Sequence, residues 1–303
     1  LGWRSIFLIN LPLGALAFLL AWHSLPADAE RSNGDRARFD TIGTLLLALT
    51  LAAYALAMTI GRGSFGGANV ALLLASACGI ALFALAEAKS AAPLIRVTLF
   101  RDAELSAGFA TSAVVATVVM ATLVVGPFYL SGALGLDAAR TGLVMTAGPL
   151  VAALMGVPSG RLVDRFGAYR MTMAGLAAMA AAAAIFSSLR ASLGIGGYVA
   201  PLVVLTAGYA LFQTANNTAV MSRLPASERG TVSGMLSLAR NLGLITGASV
   251  MGAVFALAAG AAASSAAVTS GLRATFAVAT ALGIAAMLIA RASRASERAS
   301  RSA

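Results

Sequence analysis

The sequence predicts an all-α polytopic membrane protein with nine spans, and three observations carry that reading. Of its 303 residues, 59% are hydrophobic and 11% charged, whereas soluble domains are about half apolar and about a quarter charged. The mean hydropathy is +0.89. The apolar residues fall in runs of roughly twenty, each long enough as a helix to cross a ~30 Å hydrocarbon core at ~1.5 Å per residue. The 31 glycines, with many alanines and serines, supply the small surfaces that membrane helices use for close approach.

Windows of about nineteen residues place the spans near 6–22, 41–60, 69–88, 107–130, 141–159, 171–189, 198–221, 232–258 and 272–290. The opening run follows Leu1 with neither a basic n-region nor a cleavage site, so it reads as a span and not a signal peptide. Pro127, Pro149 and Pro158 interrupt spans, and Gly126-Pro127 and Gly148-Pro149 predict kinks. The sixth span holds an alanine run at 177–184, broken only by Met179, which suits a tightly packed helix face. Residues 259–267 read equally as helix or loop.

Lysine and arginine orient the spans. Alternate connections carry fifteen of the 21 basic residues, among them Arg36, Lys89, Arg165, Arg229 and Arg294. The opposite connections hold one each: Arg4, Arg62, Arg140, Arg190 and Arg273. By the positive-inside rule the crowded side is cytoplasmic. This predicts a plasma (inner) membrane protein with a cytoplasmic C-terminus. Nine spans then leave Leu1 outside, which predicts further spans before it.

Composition excludes other classes. One cysteine, Cys78, and one histidine, His23, leave no disulfide framework, no zinc site and no histidine-based dyad. Neither an enzyme nor a metal or cofactor is expected. Cys78 reads as a small buried hydrophobe. The formal charge of +10 sits in short runs between spans, without the aromatic and basic platform of a nucleic-acid binder. The expected partner at this point is the lipid bilayer, and no nucleic acid.

Three stretches then carry a resemblance. Trp3-Arg4-Ser5-Ile6-Phe7-Leu8-Ile9-Asn10-Leu11-Pro12-Leu13-Gly14 opens the chain, and Gly160-Arg161-Leu162-Val163-Asp164-Arg165-Phe166-Gly167 follows the fifth span. Asn216-Asn217-Thr218-Ala219-Val220-Met221, Pro225, Arg229-Gly230 and Arg240-Asn241-Leu242-Gly243 fall on and between the seventh and eighth spans. In this order they resemble the fourteen-span drug:proton antiporters of the major facilitator superfamily. The first is similar to the sixth-span signature, and the second to the C-terminal copy of the G-x-L-x-D-R-x-G loop motif. The third resembles the twelfth and thirteenth spans.

The resemblance implies a major facilitator-type helical bundle containing the last nine of fourteen spans. Residues 1–22 would close an incomplete N-terminal bundle, and 23–104 would be a linker with an extra two-span hairpin. Residues 105–290 would form a C-terminal six-helix bundle of two inverted repeats, and 291–303 a basic cytoplasmic tail. The implied function is proton-coupled antiport of drugs or amphiphilic metabolites by alternating access, with protons as the coupling partner and antibiotic resistance as a consequence. The chain alone would be inactive, since the fifth-span antiporter motif is absent and no acid lies mid-span. A transporter of an endogenous metabolite fits the same pattern. A membrane sensor or assembly subunit is the alternative of another class.

Two groups of residues are candidates for function. Arg240 lies about 14 Å into its span at ~1.5 Å per residue, where a charge costs at least ~2.5–3.5 kcal/mol. Ser233, Ser237, Arg240 and Gly247 form one small, polar stripe. Tyr209, Gln213 and Asn216/Asn217 share a face of the preceding span. These residues suit a cavity or coupling site, and suit interhelical hydrogen bonding as well. The second group, Gly160, Arg161, Asp164, Arg165 and Gly167, lies in the loop motif, which the resemblance associates with a cytoplasmic gate. Gly156/Gly160, Gly230/Gly234 and Gly243/Gly247 are G-x-x-x-G pairs expected to make helix contacts.

The topology is testable once Cys78 is replaced by serine. A cysteine at Phe65 should react with impermeant reagent in intact cells and one at Ile95 should not; the reverse labelling would refute the orientation.

Overall fold

The computed structural model describes residues 5–24, 40–60, 66–90, 97–222, 224–260 and 264–302. Trp3, Arg4, Arg36 and Arg62, and the labelling positions Phe65 and Ile95, lie outside these ranges. All regular structure among the described residues is helical, as it must be where lipid offers no partner to backbone groups. Among the described residues, eight helices are long and apolar enough to span a membrane.

The chain divides into two units, Leu1–Phe39 and Asp40–Ala303. In the first, the expected opening span is split into α1 (Ser5–Leu8) and α2 (Asn10–Ser24) by a turn at Ile9. Pro12 explains the split, because it cannot donate to the Leu8 carbonyl and its ring crowds that carbonyl. At 15 residues, α2 covers only about 22 Å of a ~30 Å core.

The second unit opens with a hairpin, α3 (Thr41–Thr59) and α4 (Gly67–Lys89). Asp40 caps α3 by accepting from the Gly43 amide at 2.7 Å. At the other end Asn69 donates to the Ala57 carbonyl at 2.7 Å. Six spans follow: α5 (Ala103–Phe128), the pair α6 (Ala138–Met145) and α7 (Ala147–Phe166), α8 (Ala168–Ser187), α9 (Gly194–Met221), α10 (Ala226–Ala259) and α11 (Ser265–Ser302). Their core lies among α5, α8, α9 and α11, with α10 laid on α5 and α7 on α9. Its centre is aromatic: Phe186 stacks on Phe276 at 4.3 Å and meets Tyr198 edge-on at 5.4 Å. The hairpin holds α10 through hydrogen bonds between Tyr54 and Thr246, and from Ser249 to the Met58 carbonyl.

Small residues set the spacing of these helices. A Cβ on Gly175 would come within 2.7 Å of the Gly208 carbonyl, and one on Gly208 within 2.9 Å of the Gly175 carbonyl. The alanine run follows this crossing and is packed as expected, with Ala182 and Ala183 fully buried. Gly243 and Gly247 lie against the backbone of α5 at Ala113 and Thr117, and Thr117 Oγ1 donates to the Gly243 carbonyl at 3.0 Å. The other two G-x-x-x-G pairs differ from expectation. A Cβ on Gly156, Gly160, Gly230 or Gly234 meets nothing within 4 Å, so these pairs make no close helix contact among the described residues.

The structure differs from expectation at four further places. The stretch 160–166 is not a loop but the end of α7, and Gly167 alone (φ +86°) separates it from α8. Leu162 and Val163 continue the apolar pattern there, no breaker intervenes, and glycine provides the left-handed turn that ends the helix. Cys78 is exposed, because α4 turns little of its surface toward the protein. Pro149 sits in the first turn of α7, where its missing N–H is harmless, so the break falls at Thr146. The last helix runs past 290 to Ser302, through Ala-, Arg- and Glu-containing sequence with no Gly or Pro. At Gly126-Pro127 α5 runs on through the proline to Phe128, and a π-helical turn over Tyr129–Ala133 follows it.

The two kinds of glycine should respond oppositely to alanine. Gly243→Ala overpacks the α5 contact and should cost about 1–3 kcal/mol, whereas Gly230→Ala, in open space, should be neutral or stabilising by up to about 1 kcal/mol. Thermal unfolding in detergent would measure both, and equal shifts would contradict the packing described.

Candidate functional site

The contact between α10 and α5 places the intramembrane arginine. Arg240 is one helical turn before Gly243, so seating that glycine on α5 brings the guanidinium to the gap between α5, α9 and α10. There it borders a cavity of about 200 Å³, lined by Ser112 of α5, by Tyr209, Phe212, Gln213, Asn217 and Met221 of α9, and by Ser233, Leu236, Ser237 and Arg240 of α10. The Arg240 guanidinium and the Tyr209 hydroxyl both line this space, and the arginine's charge acts on the phenol. Two stripes seen in the sequence thus face each other across one space: Ser233, Ser237 and Arg240, and Tyr209, Gln213 and Asn217. Gly247 leaves its stripe, because its face is taken up by Thr117 and Met120 of α5.

Asn216 points elsewhere. A step of about 100° per residue turns it away from Asn217, and it is 5% exposed. Its Nδ2 donates to the Gly108 carbonyl at 3.2 Å and to Ser112 Oγ at 3.0 Å. Asn216 therefore ties α9 to α5 and borders a second cavity, of about 320 Å³, at the ends of α5, α8, α9 and α11. Glu104, Thr111, Tyr169, Thr172 and Arg294 share its lining, with the Arg294 guanidinium 3.8 Å from the centre of the Tyr169 ring. Neither this cavity nor Ser112 is marked by the polar stripes of the sequence. The Thr111-Ser112 pair inside an apolar run was the available signal for the latter.

The second group of candidates stays apart from both cavities. Arg161, Asp164 and Arg165 are exposed on the last turns of α7, where Val163 is the buried member. Arg165 sits over the neighbouring Phe166 ring at 5.2 Å. Among the described residues Asp164 makes no ion pair. No cluster of potential metal ligands occurs among those residues either.

Residues 1–248 match the family described as the Major Facilitator Superfamily. The chain belongs to the Major Facilitator Superfamily. It is thus an integral membrane protein of a transporter family, not an enzyme. Multidrug resistance protein Stp of Mycobacterium tuberculosis is 33% identical to it, over 84% of this chain and 47% of that protein. Riboflavin transporter RibZ of Clostridioides difficile is 28% identical, over 84% of this chain and 55% of its own length. The chain spans about half the length of these curated relatives. Among solved structures, a mutant form of the nucleoside transporter NupG superposes with a TM-score of 0.56 at 16% identity, covering 82% of this chain and 65% of that one. That likeness concerns the fold, an all-helical major facilitator-type bundle.

The two adjacent asparagines should separate in a stability measurement. Asn216→Ala removes both links to α5 and should lower unfolding stability in detergent by about 0.6–2 kcal/mol. Asn217→Ala, at the open cavity, should change it little. Equal losses would refute the assignment of Asn216 as the tie.

Proposed function

We propose that the chain is the C-terminal part of a proton-coupled efflux transporter for drugs or amphiphilic metabolites, corresponding to the last nine spans of the fourteen-span branch. The single observation that carries this reading is Arg240. An intramembrane charge costing at least ~2.5–3.5 kcal/mol is a functional group by default, and this one borders a cavity shared with Tyr209, Gln213 and Asn217. The order of the three sequence motifs supports the branch, and the relative Stp supports efflux of drugs. In this reading α3 and α4 are the extra hairpin, α5–α11 the C-terminal bundle, and the substrate a small molecule that reaches the Arg240 cavity by alternating access in the inner membrane.

The end of α7 supplies the gate. Arg161, Asp164 and Arg165 stand exposed at the expected cytoplasmic end, free to pair with another surface in one state and release it in the other. The C-terminal tail lies on the same side by the distribution of arginines. A second reading, export of an endogenous metabolite, is favoured by the relative RibZ, a riboflavin transporter, and uses the same cavity and gate.

Efflux against an imposed proton gradient, in vesicles carrying the full-length protein and with a panel of cationic and anionic amphiphiles, tests the proposal. Arg240→Ala and Asp164→Lys should each lower efflux about tenfold or more, a loss of ~1.4 kcal/mol or more in barrier terms, at unchanged abundance in the membrane. An abundant, fully active Arg240→Ala protein would make the arginine structural and remove the main support for the reading.

A further inference from the structure

We infer that the Arg240 cavity selects organic anions, binding a carboxylate or phenolate head group. The inference rests on the proposal that this cavity takes substrate. Its lining is rich in donors and poor in negative charge. A guanidinium offers five N–H groups in a planar fork. The amides of Gln213 and Asn217 and the hydroxyls of Ser112, Tyr209, Ser233 and Ser237 complete the polar surface. No carboxylate belongs to that lining. An ion pair between described residues is found at Arg140 and Asp137, 3.8 Å apart and exposed, and none is made by Arg240.

The charge of Arg240 is therefore faced within the described residues by the neutral dipoles of that lining, the Tyr209 hydroxyl among them. A ligand carboxylate would complete it with a two-point, charge-assisted contact that the planar fork is shaped to make. A ligand cation would meet like-charge repulsion in the same place, the negative element that specificity requires. Phe212, Met221 and Leu236 form the apolar part of the wall, which suits an organic anion over an inorganic one. The volume of about 200 Å³ falls below the ~300–1,000 Å³ of a drug-sized pocket. The cavity therefore accommodates the charged head of an amphiphile, with the remainder extending through its open side.

Binding of 1-naphthoate and of 1-naphthylmethylammonium, the same ring system with opposite charge, tests this by titration calorimetry on the full-length protein in nanodiscs. Naphthoate should bind about tenfold tighter or better, a difference of ~1.4 kcal/mol. Arg240→Gln should bring the two probes to near parity. Ser237→Asp, which places a carboxylate one turn from Arg240 while leaving the arginine in place, should remove or invert the preference. That second variant decides the matter even if loss of the arginine disturbs folding. Equal or tighter binding of the cation, no binding of either probe at millimolar concentration, or an anion preference that survives both substitutions would each overturn the inference. Vesicle efflux separates this from the transport proposal. Selective binding without efflux would sink transport and leave the charge selectivity, whereas efflux without charge preference would do the reverse.

Discussion

With no Cβ at Gly243 or Gly247, α10 can lie directly on the backbone of α5, close enough for Thr117 to hydrogen-bond the Gly243 carbonyl. Between helices in lipid, where tails are as apolar as leucine, such contact does the work that hydrophobic burial does in water. Arg240 precedes these glycines by one and two turns, so its position is fixed by the same contact. Were α10 held further off by even one methyl group, the gap shared with α9 would widen, and the two polar stripes would no longer face one another. Packing and site are thus one constraint, and the hairpin reinforces it from the other side of α10 through Tyr54 and Ser249.

Much of this was legible in the sequence because lipid imposes a simple rule. A span must be long, apolar and helical, so hydropathy located α3, α4, α5 and α8 to within a few residues. The stripe Ser233, Ser237, Arg240 was equally readable, since polar groups on α10 stand out against an apolar background. Ends were less readable. Hydropathy reports where a helix leaves the hydrocarbon and not where it stops, so α7 runs on to Phe166 and α10 begins at Ala226 rather than near 232.

What stayed hidden depends on neighbours. Asn216 and Asn217 are indistinguishable by type, yet one is a tie between α9 and α5 and the other borders the cavity. The difference is a single helical step, decided by where α5 lies. Ser112 was invisible for a related reason. The helix that carries it is the most buried of the spans, so α5 has no polar face that would set the serine apart. The pairs Gly230/Gly234 and Gly243/Gly247 likewise share a pattern and one helix, and only the second finds a partner backbone.

The arrangement of the two cavities bears on what Arg240 is for. They lie on opposite sides of the α5–α9 contact, which Asn216 seals with hydrogen bonds to Gly108 and Ser112. An interhelical hydrogen bond in a membrane contributes about 0.6–2 kcal/mol, so this tie accounts for itself by packing alone. Arg240 does not. Its cost of at least ~2.5–3.5 kcal/mol is offset by no carboxylate of the cavity lining. In the proposed reading, a guanidinium held half-buried beside open space, on a helix fixed at backbone distance from its neighbour, is arranged to meet a charge that arrives from outside the bundle.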